Sequence, residues 1–291
     1  MKSSDFDSLN LTGWFPGHML KAGREMRARL DLIDVVVEML DARVPRTSLH
    51  PSLQEELGRK PHLLAFNKTD LADPASTRAW EESFRQAGQL SIFLDGRTGS
   101  GLKQLLPAVH RVWKTERERR GATRPMLRPL RIMIAGIPNV GKSTIINRLA
   151  KAAKTAVGPK PGVTRGQQWV VLQNDTELLD TPGVLWPRIE NKQTELLLGI
   201  VGTIKDTVIG EELLAEYLCF RLHDRPGIRW DHYGLKAPPR GVEELLDAVA
   251  LRRGLLQPGG VPDHHRAAVA LLLDFRSGSL GRVTFDLPQD N

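Results

Sequence analysis

Gly136-Ile-Pro-Asn-Val-Gly-Lys-Ser-Thr144 is the stretch that decides the fold. It follows the apolar run Leu130–Ala135 and opens into Ile145-Ile-Asn-Arg-Leu-Ala-Lys151, whose apolar residues have helical spacing. A strand, then GxxxxGK[ST], then a helix is the setting a phosphate-binding loop requires. Glycines let the backbone curl so that successive N–H groups face inward, at the positive end of the helix that follows. Lys142 adds a point charge for β- and γ-phosphates, and Ser143 offers a hydroxyl to Mg²⁺. Asn139, Val140, Gly141 and Thr144 complete the loop. The expectation is a nucleoside-triphosphate site on a mostly parallel α/β sheet flanked by helices.

Upstream, Leu63-Leu-Ala-Phe66 reads as a short buried strand running into Asn67-Lys-Thr-Asp70. Asp70 is acceptor-only, so it can take both the N1–H and N2–H₂ donors of guanine; adenine has no such pair. Asn67 can bond the opposite edge of the base, the stem of Lys68 can cover its face, and Thr69 completes the tetrapeptide. This is the NKxD pattern of P-loop GTPases, which ordinarily follows the phosphate loop. Here it precedes the loop by about seventy residues. Asn191-Lys-Gln-Thr194, downstream, ends in a threonine that cannot accept two donors. The early motif is therefore the base reader, and the domain is read as circularly permuted. Such an order is tolerable because sheet order, not chain order, assembles the site.

Around these anchors, Leu32–Leu40 reads as a strand ending at the polar break Asp41-Ala-Arg-Val-Pro45, on the sheet edge where ligands bind. A helix (Pro74–Ala87) and a strand (Leu90–Leu94) lead to Asp95-Gly-Arg-Thr-Gly-Ser-Gly101. Asp95 and Gly96 either supply a backbone N–H to guanine O6 or simply form a glycine-rich turn. A helix over Leu102–Lys114 enters an arginine-rich connector at about 115–128, a solvated linker or an RNA contact. Past the phosphate loop, Val157–Gly166 has the Pro/Gly-rich make-up of a switch, with Thr164 as its Mg²⁺-sensing hydroxyl. Strands Gln168–Leu172 and Glu177–Leu179 form a hairpin that delivers Asp180-Thr-Pro-Gly183. Asp180 stands on the Mg²⁺ side, and the Gly183 N–H can meet the γ-phosphate. Val184 follows, and its side chain cannot orient a water by hydrogen bonding.

Glu211–Leu222 and Val242–Arg253 have helical spacing, and Asp263 is placed to cap a helix over His264–Arg276. Residues 278–285 suggest a glycine turn and a short strand. The expected division is a permuted GTPase domain over 1–200 and a smaller, mainly helical domain over 201–291. Residues 201–291 carry 11 Lys/Arg against 13 Asp/Glu, whereas residues 1–200 carry 30 against 21, a net of +9. A polyanion is thus expected to meet the first part, nucleic acid being the foremost. The single cysteine, Cys219, excludes an internal disulfide. No apolar stretch approaches a membrane span, and nothing at the start resembles a secretory signal, so a cytoplasmic protein is expected. Adjacent His264 and His265 point to different helix faces and make a poor metal pair.

Taken together, these segments resemble the circularly permuted P-loop GTPases of ribosome assembly, and among them the ribosome biogenesis GTPase A group. The motifs are WFPGHM-x-KA (Trp14–Ala22), LDARVP (Leu40–Pro45), NKTD, GIPNVGKST, KPGVTRGQQW (Lys160–Trp169), DTPGVLWP (Asp180–Pro187) and DFRSGSLGRVTFD (Asp274–Asp286). The resemblance implies Mg²⁺-dependent hydrolysis of GTP to GDP, coupled to late maturation of the large ribosomal subunit. It implies binding to the precursor particle and its ribosomal RNA in the GTP form, with release after hydrolysis. It further implies RNA binding by the C-terminal domain, K⁺ held near Asn139, stimulation by K⁺ and by the ribosome, and a water-positioning role for His18. A monomer without membrane contact is expected. Asp95-Gly96-Arg97 departs from the group's Ser-Ala-Lys, Pro159 from its Asn, and the acidic balance of residues 201–291 from RNA binding by that part alone. Two other readings stay open: a signalling GTPase with a protein partner, and a nucleotide-sensing RNA-binding module with negligible turnover.

Overall fold

The computed structural model describes residues 3–13, 24, 27–49, 53, 57, 60–122, 126–153, 169–172, 176–179 and 189–288. They form two compact units that interleave along the chain. One contains Phe15–Asp70, Pro74–Pro187 and Asp286–Asn291; the other contains Met1–Trp14, Leu71–Asp73 and Arg188–Phe285.

The first unit is built on a six-stranded sheet: β1 (Val35–Asp41), β2 (His62–Asn67), β3 (Ser91–Phe93), β4 (Leu130–Gly136), β5 (Trp169–Leu172) and β6 (Thr176–Leu179). Its order is β3-β2-β1-β4-β6-β5, parallel throughout except for β5, which pairs antiparallel with β6 at the edge. The continuous apolar runs of β1, β2 and β4 follow from this position, because a central parallel strand is covered on both faces. Strands β1 to β3 extend to one side and β4, β6 and β5 to the other, so the order reverses between β1 and β4. The register sets Asp41 beside Asn67 and Met39 beside Gly136, which gathers the motif-bearing strand ends at that reversal. Ligands of open α/β sheets bind at such a point.

Helices α1 (Pro74–Gln86), α2 (Leu102–Arg119) and α3 (Lys142–Ala152) flank the sheet. Two boundaries differ from expectation by more than one residue. β1 begins at Val35, because Leu30–Leu32 is a 3₁₀ turn closed by the Leu32 N–H on Arg29 O and the Ile33 N–H on Leu30 O. α2 runs past Lys114 to Arg119, where Glu116 accepts hydrogen bonds from the guanidinium groups of Arg119 and Arg120 one turn on.

The second unit is helical. α4 (Lys192–Ile200) starts at Asn191, whose side chain accepts the Thr194 N–H at 2.8 Å. The downstream NKQT string is thus a helix N-cap. α5 (Glu211–Leu222), α6 (Val242–Arg253) and α7 (His264–Ser277) pack through Leu214, Leu218, Leu245, Val249, Leu271 and Phe275, all buried. Asp263 caps α7 as its sequence predicts, accepting the Arg266 N–H at 3.0 Å. The strand suggested near Phe285 does not form. Thr284 O and Phe285 O accept from Arg225, and Phe285 O from Arg221, so side chains replace a neighbouring strand. Some polar members of the DFRSGSLGRVTFD motif also turn inward, whereas Ser277 and Arg282 are exposed. Asp274 is buried and accepts the Tyr233 hydroxyl at 2.7 Å. Arg276 donates to Gly199 O and Ile200 O, closing the C-terminal end of α4, and pairs with Asp206 at 2.6 Å. Among the described residues no helix is long and apolar enough to cross a membrane.

Candidate nucleotide site

The phosphate loop connects β4 to α3. Three of its residues have left-handed backbone: Gly136 (φ 145°), Asn139 (φ 59°) and Gly141 (φ 101°). A side chain at Gly136 would run into Met39 O, and one at Gly141 into the Asn67 amide. Glycine is needed at both, for conformation and for space. The loop delivers the first turn of α3, where Ser143 and Thr144 are exposed and no side chain caps the helix. The N–H groups of a helix's first turn, aligned with the helix dipole, suit an anion. Lys142 is buried and its ammonium donates to Gly136 O (3.1 Å) and Ile137 O (2.8 Å), so its charge lies within the curl of the loop.

Asn67 ties the early motif to this loop. Its side-chain amide donates to Val140 O at 2.7 Å, and its carbonyl oxygen accepts the Gly96 N–H at 2.8 Å. One buried asparagine thereby joins three segments of chain: β2, the phosphate loop and the loop after β3. Thr69 is anchored just past β3 through its hydroxyl, which donates to Leu94 O at 3.0 Å. Asp70 accepts from Arg97 Nε at 3.1 Å; the arginine is largely exposed. Asp95 is committed to its own loop, accepting the Arg97 N–H (2.7 Å) and the Thr98 hydroxyl. Burial opposes its charge, but these hydrogen bonds outweigh it and hold the carboxyl below the usual aspartate range.

Asp41 holds Lys68, and its role was not apparent from the sequence. It is 1% exposed, lies 3.0 Å from Lys68 Nζ and is gripped by Arg43, also 1% exposed. Arg43 donates to it from its backbone N–H (3.0 Å), Nε (3.0 Å) and Nη2 (2.8 Å). Burial raises the cost of the Asp41 charge; Arg43 and Lys68 more than offset this and keep the carboxyl well below its ordinary range. Lys68 itself has left-handed backbone (φ 65°), uncommon for a side chain of its size. The LDAR segment thus clamps the base-reading loop from beneath.

Residues 131–238 match the family model of the 50S ribosome-binding GTPases. Ribosome biogenesis GTPase A of Priestia megaterium is 40% identical over 281 residues, spanning 95% of this chain and 97% of that protein. The chain belongs to the ribosome biogenesis GTPase A family. Mitochondrial ribosome-associated GTPase 1 of Xenopus tropicalis is 36% identical over 98% of this chain and 97% of its own length. GNP-bound YlqF from T. maritima superimposes with a TM-score of 0.68 at 30% identity, covering 93% of this chain and all of that one.

The fold is therefore that of a circularly permuted GTPase, and the family's activity is GTP hydrolysis. Of the residues expected to serve that activity, the structure brings together Asn67, Lys68, Thr69, Asp70, Asp95, Gly96, Asn139, Val140, Gly141, Lys142, Ser143 and Thr144 at one sheet edge. His18, Thr164, Asp180, Gly183 and Val184 lie outside the described residues. For Mg²⁺, an exposed hydroxyl at the first turn of a phosphate-loop helix is the donor type the ion takes, and Ser143 fits.

Proposed function

We propose that this protein is a GTP-hydrolysing assembly factor for the large ribosomal subunit, binding the precursor particle in its GTP form and leaving after hydrolysis. The observation that carries this reading is the double hydrogen bond of Asn67, which locks an NKxD motif against a phosphate loop some seventy residues later in the chain. That arrangement suits a guanine nucleotide, and its permuted order is shared with relatives named for ribosome biogenesis.

In this reading the phosphates sit on the N–H groups at the start of α3, with the Lys142 charge beside them. Asp70 exchanges its exposed partner Arg97 for the guanine N1–H and N2–H₂ groups. Asn67 and Gly96 border the other edge of the base, and Lys68, steadied by Asp41, covers its face. Mg²⁺, when bound, offsets charge on the β- and γ-oxygens; Ser143, Thr164 and Asp180 are the residues proposed to hold it. The backbone N–H of Gly183 meets the γ-phosphate. Val184 cannot orient the attacking water, so His18 positions it once the particle is engaged. Asn139 would hold K⁺, and turnover is then expected to rise with that ion. The unit built on the sheet serves the nucleotide and the helical unit ribosomal RNA, and the protein acts as a soluble cytoplasmic monomer.

Co-sedimentation with large-subunit precursors in a non-hydrolysable GTP analogue tests this reading. GTP-dependent association, lost in GDP, is the expected result. Absence from the particles in both nucleotide states overturns the ribosomal assignment and favours a signalling GTPase.

A further inference from the structure

The excess positive charge of the chain is concentrated in one segment. Residues 110–131 hold eight Lys/Arg against two Asp/Glu, a net of +6 in a chain whose total is +7. Described members of this segment occupy the C-terminal half of α2 and the approach to β4. α2 leaves the sheet edge that carries the phosphate loop and runs to the opposite edge. There His110 Nε2 lies 3.3 Å from the hydroxyl of Thr176, the first residue of β6, which pairs with Leu130 at the start of β4.

A cavity of about 400 Å³ opens at this edge. Trp113 and His110 form its aromatic side, Met126 and Leu127 its apolar side, and Arg128, Pro129 and Leu130 the rest. Arg117 holds Trp113 by placing its guanidinium 5.0 Å from the ring centroid, and Arg117 does not itself line the cavity. Leu127 is 99% exposed. Arg128 is paired with Asp34 (2.7 Å) and Arg131 with Glu177 (3.3 Å); with those two acids included the local balance is still positive. The cavity therefore combines a restrained indole, an imidazole and an apolar rim within a field that attracts anions.

This combination fits an unstacked base of single-stranded RNA. Sequence-bearing RNA contacts are made to splayed bases stacked on aromatic rings, with the phosphates drawn by arginine and lysine. An acidic peptide would meet the charge but leave the indole and the apolar rim without a flat partner. We infer that the cavity between α2 and the start of β4 is a second binding site, which takes a base of single-stranded or looped RNA onto Trp113. It rests on the proposal that the protein acts on ribosomal RNA.

The test is fluorescence anisotropy of a 12-nucleotide single-stranded RNA and of a duplex of equal length, with the full chain in GDP. Trp113→Ala, Trp113→Phe and wild type are compared, with melting temperature and GDP affinity as controls. Loss of one stacked base is expected to weaken single-strand binding about tenfold in Trp113→Ala, on the usual scale for base–aromatic stacking. Trp113→Phe should recover most of it, and heparin, a polyanion without bases, should bind wild type and Trp113→Ala alike. Equal RNA affinity of wild type and Trp113→Ala overturns the site, as does a parallel loss of heparin. If Trp113→Ala does not fold, cross-linking of 4-thiouridine RNA to wild type decides instead. Adducts at residues 110–130 support the site, and adducts confined elsewhere overturn it. Wild type that sediments with precursor particles while failing these tests removes this site and leaves the ribosomal reading intact.

Discussion

Replacing Asp41 by asparagine removes one negative charge and almost no volume. The carboxylate serves two cations, Arg43 at 2.8 Å and Lys68 at 3.0 Å, and both it and Arg43 are 1% exposed. The asparagine oxygen can still accept from Arg43, but its NH₂ would face donors, and a buried guanidinium loses its counter-charge. Breaking a buried pair from one side costs about 3–5 kcal/mol. That is a large share of the roughly 5–15 kcal/mol that stabilises a typical domain. At a urea dependence of about 2–3 kcal/mol per molar, the midpoint should fall by about 1–2 M. Arg43→Met should cost less, because Lys68 still pairs with Asp41. The double variant Asp41→Asn/Arg43→Met should be more stable than the sum of its parts predicts, by about 1 kcal/mol or more. The pH dependence has a definite sign. A carboxyl held below its unfolded pKa of 3.8 contributes fully above that value and loses its contribution as pH falls below it. The stability gap between wild type and Asp41→Asn should therefore be constant from pH 7 to about 5 and close only in stronger acid. The assay is urea titration followed by tryptophan fluorescence, at several pH values. A midpoint shift below about 0.3 M at pH 7, or a gap that closes near neutrality, would refute the clamp.

Asp70→Asn should exchange guanine for xanthine preference, because the new amide meets guanine's donors with a donor; each unsatisfied group costs about 1–3 kcal/mol. Fluorescent-nucleotide titration checks it, and undiminished GTP affinity with no gain for xanthosine triphosphate would remove NKTD as base reader. His18→Ala should leave GTP affinity nearly unchanged and lower particle-stimulated turnover about 10²-fold or more, measured in K⁺ buffer at matched particle occupancy. Equal stimulated rates for mutant and wild type would exclude a catalytic role. Burial pushes the Cys219 thiol up to about 11, so a disulfide reagent at pH 8 should label it only as fast as urea unfolds its helix. Rapid labelling of native protein would contradict the packing of α5.

Much of this protein was legible in its sequence because the relevant constraints are local. Gly136 and Gly141 are required by left-handed backbone, Lys142 and Ser143 by the helix they begin, and β1, β2 and β4 by apolar runs long enough to be covered on both faces. The displaced NKTD motif implied a permuted order because base recognition demands an acidic residue there, and only one candidate had it. Asp263 and the boundaries of α5 and α6 followed from capping and helical periodicity. Other features depend on which distant residues the fold brings together. That Asn67 binds Val140 O, that Asp41 clamps Lys68, and that Asp70 rests on Arg97 are facts of strand order and loop path. The motif near Phe285 looked like a strand because β-formers and glycine read that way in isolation. Its carbonyls are instead met by Arg221 and Arg225 from α5 and the turn after it, and no ladder forms. Glu116 likewise extends α2 into what composition marks as a linker. Backbone preference is written along the chain, but the partner of a charge or a carbonyl is chosen in three dimensions, and only the folded structure names it.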